Sequence, residues 1–457
     1  MKRVLPILIL LTFLFNVGLS QSKMTVTGDS LVGKVVNGEK LRVVIGNVVI
    51  SDSKAQVTCE KAVQHLQSGD IDLFGNVVFV QDTLKLFTER AYYFSNEKIG
   101  VIDTNLLMIT LHDSIEALYG KYFFDENTAR FYGEVRAVTD GKILKADTLF
   151  YFREKKKMRA LGNVFVKDSL SLLYCDTLDY DENLRATNAF GRVYIKSKER
   201  NSESIAEVFI DSALAGKTIL RRKPIAMQID SADNGVDTMI VAAEELRFIR
   251  DSSRTMIARD SVKIIRGDFA LRADSAFFNI DENFFTAYKK NERKPVVLWF
   301  EKTQIYGDTI FVTLENNKVK EAEIRGEVSL IESVDTTSLR YNQISGEIVH
   351  LYFSENKLQR MTVAGKVLDI YYLAGEEATQ GLIKSSSASA EIVFDSSGVA
   401  KVKLFGNPKS EFHPENLISG KERDFLLPSF KIFKNKPAMR KMKEKIVERK
   451  KILNVEE

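Results

Sequence analysis

The sequence predicts a long, bent, all-β stack of repeats with a short carboxy-terminal helix. Three observations carry this: a tripeptide recurring at a fixed period, a second box that accompanies it, and alternation of period two inside that box. The tripeptide is Gly-x-Val, at Gly46-Asn47-Val48, Gly75-Asn76-Val77, Gly133-Glu134-Val135, Gly162-Asn163-Val164 and Gly191-Arg192-Val193, with spacings of 29, 58, 29 and 29 residues. Thr104-Asn105-Leu106 stands where the missing member belongs, so six units share one period. Gly326-Glu327-Val328 and Gly365-Lys366-Val367 lie 39 residues apart, which implies longer connections in the second half.

The second box is centred on an acid. It is apolar at minus three, small at minus one and apolar at plus two and often plus four, as in Leu144-Lys145-Ala146-Asp147-Thr148-Leu149-Phe150-Tyr151 and Leu173-Tyr174-Cys175-Asp176-Thr177-Leu178-Asp179-Tyr180. The frame also fits at Asp29, Glu60, Glu89, Glu207, Glu244, Asp274, Asp308, Glu347 and Glu391, and Lys121 takes the acidic place once, which makes twelve copies. Period two means extended chain. In a regular strand the apolar positions before and after the acid would point to opposite faces. A bend at the acid turns both sets toward one interior, and the small residue before it leaves room for the fold. Tyr92-Tyr93-Phe94, Tyr122-Phe123-Phe124 and Phe150-Tyr151-Phe152 fit strands, while Asp125-Glu126-Asn127, Asp181-Glu182-Asn183 and Asp281-Glu282-Asn283 fit turns. Single units cannot bury their apolar faces, so stability comes from neighbour contacts. Arg221-Arg222-Lys223-Pro224 interrupts the register, with further Pro-marked breaks at Lys294-Pro295 and Asn407-Pro408. The expected organisation is a module over 24–220, a second over 221–422 and a basic tail, helical or disordered, over 423–457.

Lys2 and Arg3 precede an apolar stretch from Val4 to Phe15, with Gly18 and Ser20 just before Gln21, the layout of a secretory signal peptide over 1–20. After it, no apolar run reaches the roughly 18 residues of a membrane-spanning helix, so a soluble or peripheral mature chain is expected. The tail from Lys431 holds ten basic and four acidic residues. With the tail and the two leader cations set aside, residues 21–430 hold 54 basic and 58 acidic side chains. A slightly acidic body is a poor nucleic-acid binder. His65, His112, His350 and His413 have no metal-ligand spacing, and the two cysteines cannot build a disulfide framework or a four-thiolate zinc site. Cys59 and Cys175 both take the small position, four periods apart, and are expected as buried free thiols. The repeated acids Glu60, Glu89, Asp147, Asp176, Asp274 and Asp308 are expected at solvated corners, because a ladder of like charges repels itself. No catalytic residues, metal site or cofactor are expected.

The leader followed by tandem Gly-Asn-Val and small-acidic-x-apolar-x-Tyr boxes resembles the OstA-like, or LptA-like, domain of lipopolysaccharide transport. Tyr341-Asn342-Gln343-Ile344-Ser345-Gly346 and Ile370-Tyr371-Tyr372 resemble the longer OstA-like proteins, and the likeness covers about residues 24–420. It implies a bent antiparallel β-jellyroll in the periplasm whose apolar interior shields the acyl chains of lipopolysaccharide or a similar acylated glycolipid. It also implies a carrier or bridge component of outer-membrane assembly, joined to other OstA-like domains through its strand edges. The inward positions expected to form the groove are Leu86, Ala91, Tyr93, Leu144, Leu149, Tyr151, Leu173, Leu178, Tyr180, Leu271, Phe278, Ile305, Ile310 and Val312. In the tail, Met439, Met442, Ile446 and Leu453 space an amphipathic basic helix, an expected peripheral contact with anionic lipid heads or a partner. The competing classes are a structural or adhesive β-repeat surface protein and a β-helical enzyme acting on polysaccharide.

Overall fold

The computed structural model describes residues 25–455 apart from 52–54, 112, 140, 153, 233–234, 251–253, 291–293, 316–317, 335–338, 356, 374–379 and 397. The expected leader and His112 lie outside the described residues. The chain forms two compact units, Met1–Lys217 with Arg449–Glu457, and Thr218–Glu448.

In the first unit the chain runs as an antiparallel meander. Strand Thr128–Thr139 pairs with Lys142–Phe152, that with Lys157–Lys167, and so on through Ser171–Asp181, Ala186–Ser197 and Ser202–Ser212. A strand, a turn, a second strand and a second turn account for the 29-residue period. Gly-x-Val sits in the first strand of each pair and the acidic box in the second. Each repeat therefore adds two strands.

The two boxes are halves of one corner. Each long strand breaks register at its middle, between Ile45/Val48, Phe74/Val77, Tyr132/Val135, Leu161/Val164 and Phe190/Val193. The tripeptide strand carries one extra residue there, a β-bulge that bends it. Gly162 and Asn163 both take left-handed backbone, φ +75° and +45°, a conformation natural to glycine and tolerated by asparagine. The valine that follows drops inward: Val48, Val77, Val135, Val164 and Val193 are at most 2% exposed. Across the ladder it meets the small residue of the second box, as in Val48–Cys59, Val135–Ala146, Val164–Cys175 and Val193–Ala206. That is why the position before the acid must be small.

The second unit uses the same corner with longer strands, Lys318–Ser333, Tyr341–Ser354, Lys357–Leu373 and Gly381–Asp395. The 39-residue spacing of Gly326 and Gly365 comes from this added strand length as well as from connections. Val262, Val328 and Val367 are its buried corner valines, each against a small partner, Ala273, Gly346 and Ser387. The corner recurs at two of the Pro-marked positions. Arg222-Lys223 ahead of Pro224 (φ +64° and +60°) and Gly406-Asn407 ahead of Pro408 (φ +75° and +53°) are corners with proline in place of valine. Asp260-Ser261-Val262 is a further corner with no glycine, φ +59° and +56°, which a search for Gly-x-Val passes over.

Residues 415–455 add short helical elements after the last strand. Glu415–Ile418 and Glu422–Phe425 are short helical turns, and Ile418 and Leu427 pack against Ile370, Tyr372 and Leu382 of the second unit. Met439–Ile452 is the expected carboxy-terminal helix, with Met442 and Ile446 buried. Arg449, in the first unit, donates to the Val193 and Ala206 carbonyls and pairs with Glu207, while Lys450 reaches Glu203. Two of the cations expected to meet lipid heads are thus already held by protein.

Candidate functional site

Each bend turns both halves of a strand toward one interior, and the apolar positions line up across strands. On one side of the corner Ala137, Leu144, Val166, Leu173 and Ile195 are successive ladder partners. On the other, Leu149, Ala160, Leu178 and Ala189 form one row and Tyr151, Met158, Tyr180 and Thr187 the next. Large and small side chains alternate along the leucine row, so neighbours interdigitate. Nearer the amino terminus, the buried cluster of Val44, Val48, Cys59, Ala62 and Val77 gathers Ile50 and Val57 from one side of the bend and Leu73 and Ala91 from the other. The two walls share one apolar interior.

All fourteen expected groove residues stand in such rows. Leu86 is flanked by Phe79 and Met108, Ala91 faces Leu73, and Tyr93 lies between Ile71 and Gly100. In the second unit Leu271 lies between Ile264 and Leu298, Phe278 between Met256 and Phe285, and Ile305 between Leu298 and Leu330. Ile310 lies between Ala287 and Ile324, and Val312 between Phe285 and Ala322. Leu144, Leu149, Tyr151, Leu178, Tyr180, Leu271, Ile305 and Ile310 are buried, whereas Leu86, Ala91, Tyr93, Leu173, Phe278 and Val312 keep part of their surface open.

The repeated acids occupy the corners, and neighbouring side chains bind several of them. Asn47 Nδ2 donates to Asp29 at 3.0 Å, Asn76 Nδ2 to Glu60 at 2.6 Å, Asn163 Nδ2 to Asp147 at 3.1 Å and Arg192 Nε to Asp176 at 2.7 Å. The residue between Gly and Val thus neutralises or satisfies the acid sixteen or eighteen positions before it in the adjoining strand, which relieves the like-charge ladder. Both thiols are buried and free, and burial pushes Cys175 up to about 12. His65 sits between Glu39 and Asp72, His350 near Glu323 and His413 near Glu411. Among the described residues no three or more His, Cys, Asp or Glu side chains converge as metal ligands, and no helix is long and apolar enough to cross a membrane.

The interior of the second unit ends in a feature that the sequence reading passed over. A small cleft, partly open to solvent, lies between Leu330 and Ile344 of one wall and Met361, Ile392 and Leu404 of the other. Asp369 lines it, opposite Ile344 and Ser385 in the ladder. The signal was present: Asp369 shares the parity of the buried Val367, so period two places it inward.

In each unit an antiparallel β-stack brings apolar rows together behind its corners, and this defines the class of the protein. Residues 21–122 match the family described as OstA-like protein. Among solved structures, the chain aligns with LptH, the LptA-homologous periplasmic component of the conserved lipopolysaccharide transport device from Pseudomonas aeruginosa. That alignment has 14% identity and a TM-score of 0.16 and covers 31% of this chain and 83% of LptH. No curated protein matches the sequence.

Proposed function

We propose that this protein is a periplasmic, non-enzymatic lipid carrier or bridge component that shields the acyl chains of lipopolysaccharide, or a similar acylated glycolipid, between its two apolar walls. The observation that carries the reading is the run of inward apolar rows kept in register strand after strand, part of it still open at Leu86, Tyr93 and Leu173. Each buried acyl CH₂ contributes about 0.8 kcal/mol, so a dozen carbons supply on the order of 10 kcal/mol before ordering costs. Photo-crosslinkers at Tyr93 and Leu173 are expected to capture lipopolysaccharide in cells, and one at the exposed Lys145 is not. Labelling at Lys145 with none at the other two sites rejects the groove.

In this reading the strand edges join OstA-like domains end to end. Strand Ser30–Val36 is exposed along its whole length and, among the described residues, pairs on one side only, with Glu39–Ile45. Leu31, Val32, Val35 and Val36 are exposed there. An unpaired apolar edge is a template for another strand. Deleting residues 24–36 removes this edge and leaves Glu39–Ser51 paired to Gln56–His65. The expected result is loss of association with a second OstA-like domain, read by light scattering, with the thermal transition retained. Undiminished association sinks the edge model.

A further inference from the structure

The cleft at the carboxy-terminal end of the second unit differs from the rest of the trough in one respect: a carboxylate stands among its apolar side chains. Asp369 accepts a hydrogen bond from Ser385, whose hydroxyl is 3.2 Å from that of Ser410. Its Oδ1 is buried and has no hydrogen-bond partner. Among the described residues none of the ion pairs involves it. A buried acceptor without a donor costs free energy that a bound donor would return, and a carboxylate rewards a cationic donor most. Leu330, Ile344, Met361 and Ile392 offer apolar surface in the cleft, which Glu332, Asn342 and Gln343 also line. The site therefore combines the requirements of an apolar chain with those of a hydrogen-bond donor close to that chain, as in a compact ligand pocket.

We propose that this cleft is a subsite for an amphiphile whose apolar chain carries a hydrogen-bond donor, an ammonium, amide N–H or hydroxyl group, and that Asp369 is the group that selects it. The inference deepens the groove reading, because it names what one end of the trough recognises, but it does not depend on which lipid fills the remainder. Anionic amphiphiles are disfavoured, since they would set a second negative charge against Asp369 in a water-poor cleft. Burial holds the Asp369 carboxyl at about 6, so the selecting charge is present above that pH and lost below it. Glu332 and Tyr371 are the other titratable side chains lining the cleft.

The test is calorimetric binding of decylammonium, decanol and decanoate to the full-length protein at pH 7.5 and pH 5, below their aggregation concentrations. Decylammonium is expected to bind about 10- to 100-fold more tightly than decanoate at pH 7.5, with decanol between them. Asp369→Asn, close to isosteric, is expected to erase most of that ratio without lowering the thermal transition, and pH 5 is expected to shrink it in the native protein. Glu332→Gln keeps the pH response. Equal affinity for decylammonium and decanoate, or a ratio that survives Asp369→Asn, overturns the subsite; a pH response lost in Glu332→Gln reassigns the selecting charge and overturns it too. Crosslinking at Tyr93 and Leu173 reads the first unit independently, so success there with no selectivity here rejects this inference alone.

Discussion

Gly162→Ala is expected to destabilise the first unit by about 2–4 kcal/mol, while Gly141→Ala costs about 1 kcal/mol. Both glycines have φ +75°, so backbone strain is shared between the two substitutions. Their surroundings differ. A Cβ at Gly141 meets nothing within 4 Å, but one at Gly162 lies 2.1 Å from Asp147 Oδ2 and 2.9 Å from Asp147 Cβ. Relieving that contact moves the carboxylate away from Asn163 and loses a charge-assisted hydrogen bond, and the Cβ clash persists even after the carboxylate turns away. Asp147→Ala in the Gly162→Ala background should therefore recover only part of the loss. Denaturant midpoints for the three variants check this, and equal costs at positions 141 and 162 would show that left-handed backbone alone, not the seated acid, demands glycine at the corner.

The same corner explains how much of the fold was legible. Gly-Asn-Val and Ala-Asp-Thr-Leu announce themselves because each residue meets a separate demand: left-handed backbone, a side chain that reaches the neighbouring acid, a valine that fills the bend, and a small residue beneath it. Where another residue meets the demand, the motif vanishes but the corner remains. Asp260-Ser261 takes the left-handed pair without glycine, and Pro224 and Pro408 stand in the valine place, so these corners read as breaks. The inward rows were legible because period two survives on either side of each bend. Asp369 obeys that period too, but a carboxylate on the inner face departs from the apolar pattern that marks the rows. The packing of residues 415–433 leaves no periodic trace, because its partners, Ile370, Tyr372 and Leu382 and the glutamines Gln304 and Gln343, are scattered over distant strands.

Those glutamines support the second large effect. Gln343 Nε2 donates to the Phe425 carbonyl at 3.0 Å, and its Oε1 accepts from the Leu427 N–H at 2.8 Å. Gln304 repeats the arrangement one step along, donating to the Lys431 carbonyl and accepting from the Phe433 N–H, both at 2.8 Å. Each side-chain amide imitates a peptide group and pairs with residues two apart, so the segment is held as if by a ladder although it is not itself a strand. Both glutamines are at most 5% exposed. Gln343→Leu keeps the volume but strands two backbone groups, at about 1–3 kcal/mol each, so a loss of about 2–5 kcal/mol is expected in the second unit. Protease cleavage between residues 415 and 433 should rise in parallel, as Ile370, Tyr372 and Leu382 lose the cover of Ile418 and Leu427. If the segment leaves as one piece, Gln304→Leu adds little to Gln343→Leu, and the pair falls well short of additive. Full additivity would mean that the two anchors hold separate pieces, and a neutral Gln343→Leu would mean that apolar packing alone fixes the segment.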